Sequence, residues 1–271
     1  MLMQKIRRAT KKHRKIIMAV VVLLIIGLVG SFAVWNSGSF NSGSDWEDMT
    51  YEQHVAAYEE YIPTVEPENI TDADYAQATE MAGLYADLYS LGMYASYEIY
   101  SSVDAEETEI DPELEKKAVA YSERAMEAAL LSAQYYQQSI DKAGEDLSES
   151  SLAQLYARKG SMLVAGNDME NAKLAYDKAI ELDGSNVNII SGYADYLYNV
   201  DGYEAAIEYL NTHMEGMDEE STEYATLSQQ LGLYELYASV YNSTEESDNQ
   251  DANTEGHADD SGSDNASGGA E

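Results

Sequence analysis

The chain has 271 residues with 50 Asp and Glu against 15 Lys and Arg, a formal net charge of −35, and no cysteine. The missing cysteine excludes disulfides, thiolate-bound zinc, iron–sulfur clusters and thiol nucleophiles, and points to a bacterial envelope protein rather than a eukaryotic secreted one. Three Pro in a chain rich in Ala, Leu, Glu, Met and Tyr favour helix over sheet, so the expected fold class is all-α.

The charge is unevenly divided. Residues 1–15 hold seven of the basic residues and no acid, which leaves eight cations against 50 acids, 8 − 50 = −42, for the rest. A surface so acidic repels phosphate backbones and anionic headgroups, so no nucleic-acid partner is expected. From Ile16 to Trp35 runs an uncharged apolar stretch of 20 residues. As a helix it spans about 30 Å, the hydrocarbon thickness of a bilayer. The basic cluster before it places the N-terminus in the cytoplasm and the bulk of the chain outside. The expectation is a single-pass cell-membrane protein with a cytoplasmic segment 1–15 and a transmembrane helix 16–35. Ser31-Phe32-Ala33 also fits a signal-peptide cleavage site, which is the alternative.

Residues 36–49 open with a Gly/Ser/Asn-rich run and read as a linker. A helical region is expected over 50–145, either degenerate repeats or a separate helical hairpin. It begins with a short helix from Glu52 to Ile62, stopped by Pro63 and Pro67. A long helix follows from Asp72 to about Ser102, with Met81, Leu84, Leu88, Leu91, Ala95 and Ile99 on one face. After an acidic loop, Pro112 opens another helix to about Ala143, with Leu114, Ala118, Tyr121, Ala125 and Ala128 as its inner stripe. The two long helices form an antiparallel hairpin. At the far end, 243–271 carry no Lys, Arg, aromatic residue or aliphatic larger than Ala, and are expected to be a disordered acidic tail.

Between them a 34-residue period appears. Gly160 maps onto Ala194, Leu163 onto Leu197, Met169 onto Tyr203, Ala172 onto Ala206 and Tyr176 onto Leu210; Ile190, Tyr193 and Leu197 map onto Tyr224, Leu227 and Leu231. A small residue in one helix and another twelve positions later let two helices cross closely. The intervening turns, Gly166-Asn167-Asp168 and Val200-Asp201-Gly202, are short and polar. From Tyr156 through Gly160, Leu163, Ala172, Tyr176 and Ala179 to Ile180-Glu181-Leu182-Asp183, the chain resembles one unit of the tetratricopeptide repeat family. Gly184 stands where that family has Pro, Lys159 where it has an aliphatic, and His213 where the next unit has Ala. The resemblance covers 148–242, including a capping helix, and implies an α-solenoid. With the membrane anchor, the layout is similar to that of extracytoplasmic repeat proteins that assist secretion and envelope assembly.

The family binds proteins. First helices of successive repeats line a groove that takes a peptide or helix of the partner. By that resemblance the groove residues are Gln154, Ala157, Ser161 and Val164 from one repeat, and Asn188, Ser191, Asp195, Tyr198 and Asn199 from the next. Ala157 and Ser161 stand where family members that grip a C-terminal carboxylate have Lys and Asn, so that mode is not expected. No H-E-x-x-H pair, nucleophile elbow or phosphate loop occurs, and no enzymatic activity, cofactor or metal is expected. A structural acidic spacer or oligomerising envelope protein, or a wall-glycan binder using the 23 Tyr, are the alternatives to a protein-binding module.

Overall fold

The computed structural model describes residues 50–101, 110–144 and 147–255, without the side chains of 54, 57–59 and 240–255. The proposed membrane span 16–35, the linker and most of the acidic loop after Ser101 lie outside the described residues. No helix among those described is long and apolar enough to cross a membrane.

The fold is all-α. Among the described residues eight helices follow in order: α1 (Tyr51–Val65), α2 (Tyr75–Ser101), α3 (Pro112–Lys142), α4 (Glu149–Ala165), α5 (Met169–Asp183), α6 (Val187–Asp201), α7 (Tyr203–Met214) and α8 (Thr222–Glu255), with a 3-10 turn at Ile70–Asp72. Local signals account for most of the boundaries. Thr50 caps α1 in a reciprocal box with Gln53, satisfying two otherwise orphaned amides. Asp111 caps α3, whose first residue is Pro112, where a missing N–H costs nothing. Ser148, Asp168 and Asn186 cap α4, α5 and α6. Gly202, at φ 89°, breaks α6 from α7 in a conformation closed to most side chains.

Three boundaries differ from the sequence expectation. Pro63 lies inside α1 rather than ending it, because a proline removes the hydrogen bond to the preceding turn yet lets the chain run on; the helix ends at Val65, and the Glu66 amide still reaches the Ile62 carbonyl at 2.8 Å. Helix α2 begins at Tyr75, since residues 70–72 form a separate 3-10 turn closed on Asn69 and Ile70. Helix α8 continues to Glu255, past the expected end near Asn242; neither Gly nor Pro occurs between Asn242 and Gly256.

Helices α2 and α3 form the antiparallel hairpin. The Ser132 hydroxyl donates to the Ala82 carbonyl at 2.7 Å, Ser139 meets Thr79 at 3.1 Å, and Gly92 lies against Ala125. Of the expected α3 stripe, Ala118, Ala125 and Ala128 are buried, whereas Leu114 is 41% exposed. Helix α1 lies along the same hairpin and runs parallel to α3. Tyr121 donates to Glu52 and Tyr135 to Glu66, and both pairs are 69 residues apart in the chain.

Helix α4 packs on α3, and α4 and α5 then pair antiparallel, as do α6 and α7; α6 rests on both α4 and α5, and α8 on both α7 and α6. The core is divided accordingly. One apolar cluster runs from Ile62 and Met81 through Tyr135, Met162 and Tyr176 to Ile189, and a second gathers Ile190, Ala194, Ala206, Leu210, Leu227, Tyr234 and Tyr237. Tyr176 is the joint between the first pair of helices and the next. Its buried ring lies against the backbone of Gly160 on α4 and of Gly192 on α6, and its hydroxyl meets Ser161 at 2.7 Å.

Candidate protein-binding face

The residues expected to line a groove fall on α4 and α6, and α8 follows as a third helix against α6. Their surroundings differ sharply. Ala157 is buried in the larger apolar cluster, and Val164 packs against that cluster. Ser161 is tied to Tyr176. Gln154 remains partly exposed on α4. Asn188, in the first turn of α6, gives its amide N–H to the capping Asn186 side chain at 3.1 Å.

The remaining residues converge on α8. Gln230 Nε2 donates to the Ser191 carbonyl at 3.0 Å and to Asp195 Oδ1 at 2.9 Å, and lies 3.2 Å from the Tyr234 hydroxyl. Tyr234 donates to the same Asp195 Oδ1. The ring of Tyr198 stacks on that of Tyr234, centroids 5.4 Å apart at 24°, with Tyr237 at 6.4 Å. Asn199 is exposed and returns its side-chain N–H to the Asp195 carbonyl at 2.7 Å, one turn back.

Sequence reasoning singled out Asp195 and Tyr198 but missed Gln230, Tyr234 and Tyr237. Their signal is the spacing Leu227, Gln230 or Leu231, Tyr234, Tyr237, which marks the inner face of α8. These three fix which parts of Asp195 and Tyr198 stay available. Burial is the main influence on the Asp195 carboxyl and pushes it up to about 6, against the opposing effect of two donated hydrogen bonds. Burial first, and the same carboxylate second, drive the Tyr234 phenol far above its ordinary value. At neutral pH the arrangement is a carboxylate held by two neutral donors.

Further along, α5, α6 and α7 share an aromatic layer. Tyr193 lies 5.9 Å from Tyr176, 5.4 Å from Tyr196 and 5.0 Å from Tyr209, whose ring abuts His213 at 4.1 Å. His213, standing where the repeat pattern has Ala, turns Nδ1 to the Tyr209 carbonyl at 2.9 Å. This layer is packing between helices, with rings buried or half-buried. Among the described residues no cluster of three or more His, Asp and Glu has the geometry to hold a metal ion.

In the comparisons with known proteins, no family model, no curated protein and no solved structure matches this chain.

Proposed function

We propose that the chain is a membrane-tethered protein-interaction module whose working surface is the face formed by α4, α6 and α8. The observation that carries this reading is the stacking of helix pairs. Helix α6 rests on both α4 and α5, and α8 on both α6 and α7, so that α4, α6 and α8 succeed one another along the array. Such an arrangement presents a row of side chains from different parts of the sequence to one ligand, as in repeat solenoids. The 34-residue period and the small-residue pair Gly160 and Ala172 support assigning 148–242 to the tetratricopeptide type. Residues 16–35 act as the anchor and hold the module on the outer face of a bacterial cytoplasmic membrane, where tethering raises its effective concentration for partners in the same bilayer. Secretion or envelope assembly is the process this layout suits.

The test is photo-crosslinking in the native membrane from position 199 of the full-length protein, read by mass spectrometry. Asn199 is exposed beside Asp195 and Tyr198, so a crosslinker there leaves the α6–α8 contacts in place. One dominant partner is expected, absent when the crosslinker sits at Leu174 on α5, which is 62% exposed. The same scatter of abundant neighbours from both positions would sink the proposal in favour of a spacer.

A further inference from the structure

Asp195 is a partly buried carboxylate with no cation. The sequence contains no Lys or Arg after Lys178. The two that precede Asp195 most closely are engaged on their own helix, Lys173 with Asp177 at 2.7 Å and Lys178 with Glu181 at 2.8 Å. The groups that face Asp195 are neutral: Ser191 and Tyr198 on its own helix, Tyr176 from α5, and Gln230, Tyr234 and Tyr237 from α8. Folded proteins pair their buried charges, because a carboxylate stripped of water and left without a counter-ion is costly.

The hydrogen bonds leave a definite vacancy. Both donors, Gln230 and Tyr234, reach Oδ1. Oδ2 accepts nothing from the described residues, and Asp195 as a whole is partly exposed. Two polar atoms on the same face of α8 are buried without a partner: Gln230 Oε1, and the hydroxyl of Tyr237, a residue only 5% exposed. The Gln230 amide cannot be turned to improve this, since both N–H groups are already given, to the Ser191 carbonyl and to Asp195 Oδ1. A carboxylate oxygen without a donor, on a partly exposed residue and next to the partly exposed ring of Tyr198, is suited to a basic side chain, by charge, by hydrogen bonding and by the attraction of a cation to an aromatic face.

We propose that the seam between α6 and α8 is a receptor for an arginine or lysine side chain presented by a protein partner, with Asp195 Oδ2 as its counter-ion and Tyr198 as its aromatic wall. This rests on the reading of the α4, α6 and α8 face as the working surface and adds the chemistry of the ligand. The surplus of 42 negative charges beyond residue 15 draws a basic segment toward the chain from a distance. Asp195 then supplies the point of recognition.

The test is selection from a random-peptide display library against the full-length protein in nanodiscs. Selected peptides are resynthesised with each Arg changed to citrulline and each Lys to norleucine. Enrichment of a basic residue is expected, with affinity falling about tenfold or more when that residue is neutralised, or when Asp195→Asn is introduced. The two changes together should cost little more than either alone, and the variant should keep its helicity. Peptides that lose binding on Tyr198→Ala but carry no basic residue, or ignore Asp195→Asn, overturn the receptor and leave the working face standing. Peptides indifferent to both substitutions, or an empty selection, overturn the face itself.

Discussion

The ring of Tyr176 and the backbone of Gly160 are in direct contact, so close that a Cβ at position 160 would lie 2.9 Å from two ring carbons. The ring cannot retreat, because on its other side a Cβ at Gly192 would lie 2.8 Å from the Tyr176 hydroxyl. Two helices of different pairs thus grip one aromatic residue, and each is permitted to do so by a glycine. Gly160→Ala gains about 1 kcal/mol of helix propensity and loses more to overpacking, for a net destabilisation of about 1–2 kcal/mol. Gly232 on α8 is the internal control, since nothing lies within 4 Å of a Cβ there. Gly232→Ala should stabilise by about 0.5–1 kcal/mol. Urea denaturation of the two variants should therefore move midpoints in opposite directions.

Tyrosine takes a second role in this chain. With eight cations for 50 acids beyond residue 15, carboxylates outnumber the charged groups able to pair with them, and phenol hydroxyls serve instead. Glu66 accepts from Tyr135 at 2.8 Å and from Tyr85 at 3.0 Å, whose rings stack 5.7 Å apart, joining α1 to both members of the hairpin. Burial first, and Glu66 second, raise both phenols well above their ordinary value. Tyr135→Phe should cost about 1 kcal/mol, and the double change with Tyr85→Phe less than the sum of the singles, because one acceptor serves both. Absorbance titration at alkaline pH should show the wild type losing two late-ionising tyrosines in the double variant.

How far the sequence reveals all this depends on range. Caps at Thr50, Asp111 and Ser148 and the break at Gly202 rest on residues within a turn of one another, so local chemistry dictates them. The small-and-large pattern around Gly160 and Tyr176 is legible because the 34-residue period repeats it. Gly192 escapes that reading: the repeat register puts weight on Ala194, and the need for a missing side chain at 192 arises only once Tyr176 reaches across from α5. The parallel pairing of α1 with α3 is equally silent, since no local signal links Glu52 to Tyr121 across 69 residues. At the candidate site Asp195 and Tyr198 follow from family position, but the hold that α8 has on them does not. The spacing of Leu227, Tyr234 and Tyr237 marks the inner face of α8, but not which residue of α6 that face meets.

The pairing of α1 with α3 carries its own pH signature. Lys117 meets Glu52 at 2.8 Å, and hydrogen bonds from Lys117 first and Tyr121 second hold the Glu52 carboxyl down at about 2. A carboxyl whose folded value is depressed stabilises the fold above its unfolded value, near 4.5, and loses that contribution as pH falls toward about 2. Both side chains are about half exposed, so the pair contributes only about 0.5 kcal/mol after screening by solvent. Glu52→Gln should cost this amount at pH 7 and nothing at pH 2, measured by thermal melts across that range. Added salt at pH 7 should shrink the difference.

Asp195 has the opposite sign. Burial pushes its folded value up to about 6, so between an unfolded value near 3.8 and pH 6 the native chain binds more protons than the unfolded one. Stability is therefore greatest below about pH 4 for this group and falls as pH rises through 6. The general repulsion among the other acids follows the same direction, which is why a difference is needed: wild type minus Asp195→Asn, in which the amide oxygen still accepts from Tyr234 and Gln230. Relative to the variant, the wild type should lose on the order of 1 kcal/mol between pH 4 and 6.5, the full shift being discounted because the residue is only partly buried. Curves that stay parallel would mean that Asp195 is as well solvated in the fold as out of it, and a seam so wet would have no unmet charge to offer a basic ligand. A slope confined to that window would show instead that the fold itself carries the cost of an unpaired carboxylate, which a bound guanidinium or ammonium group would then remove.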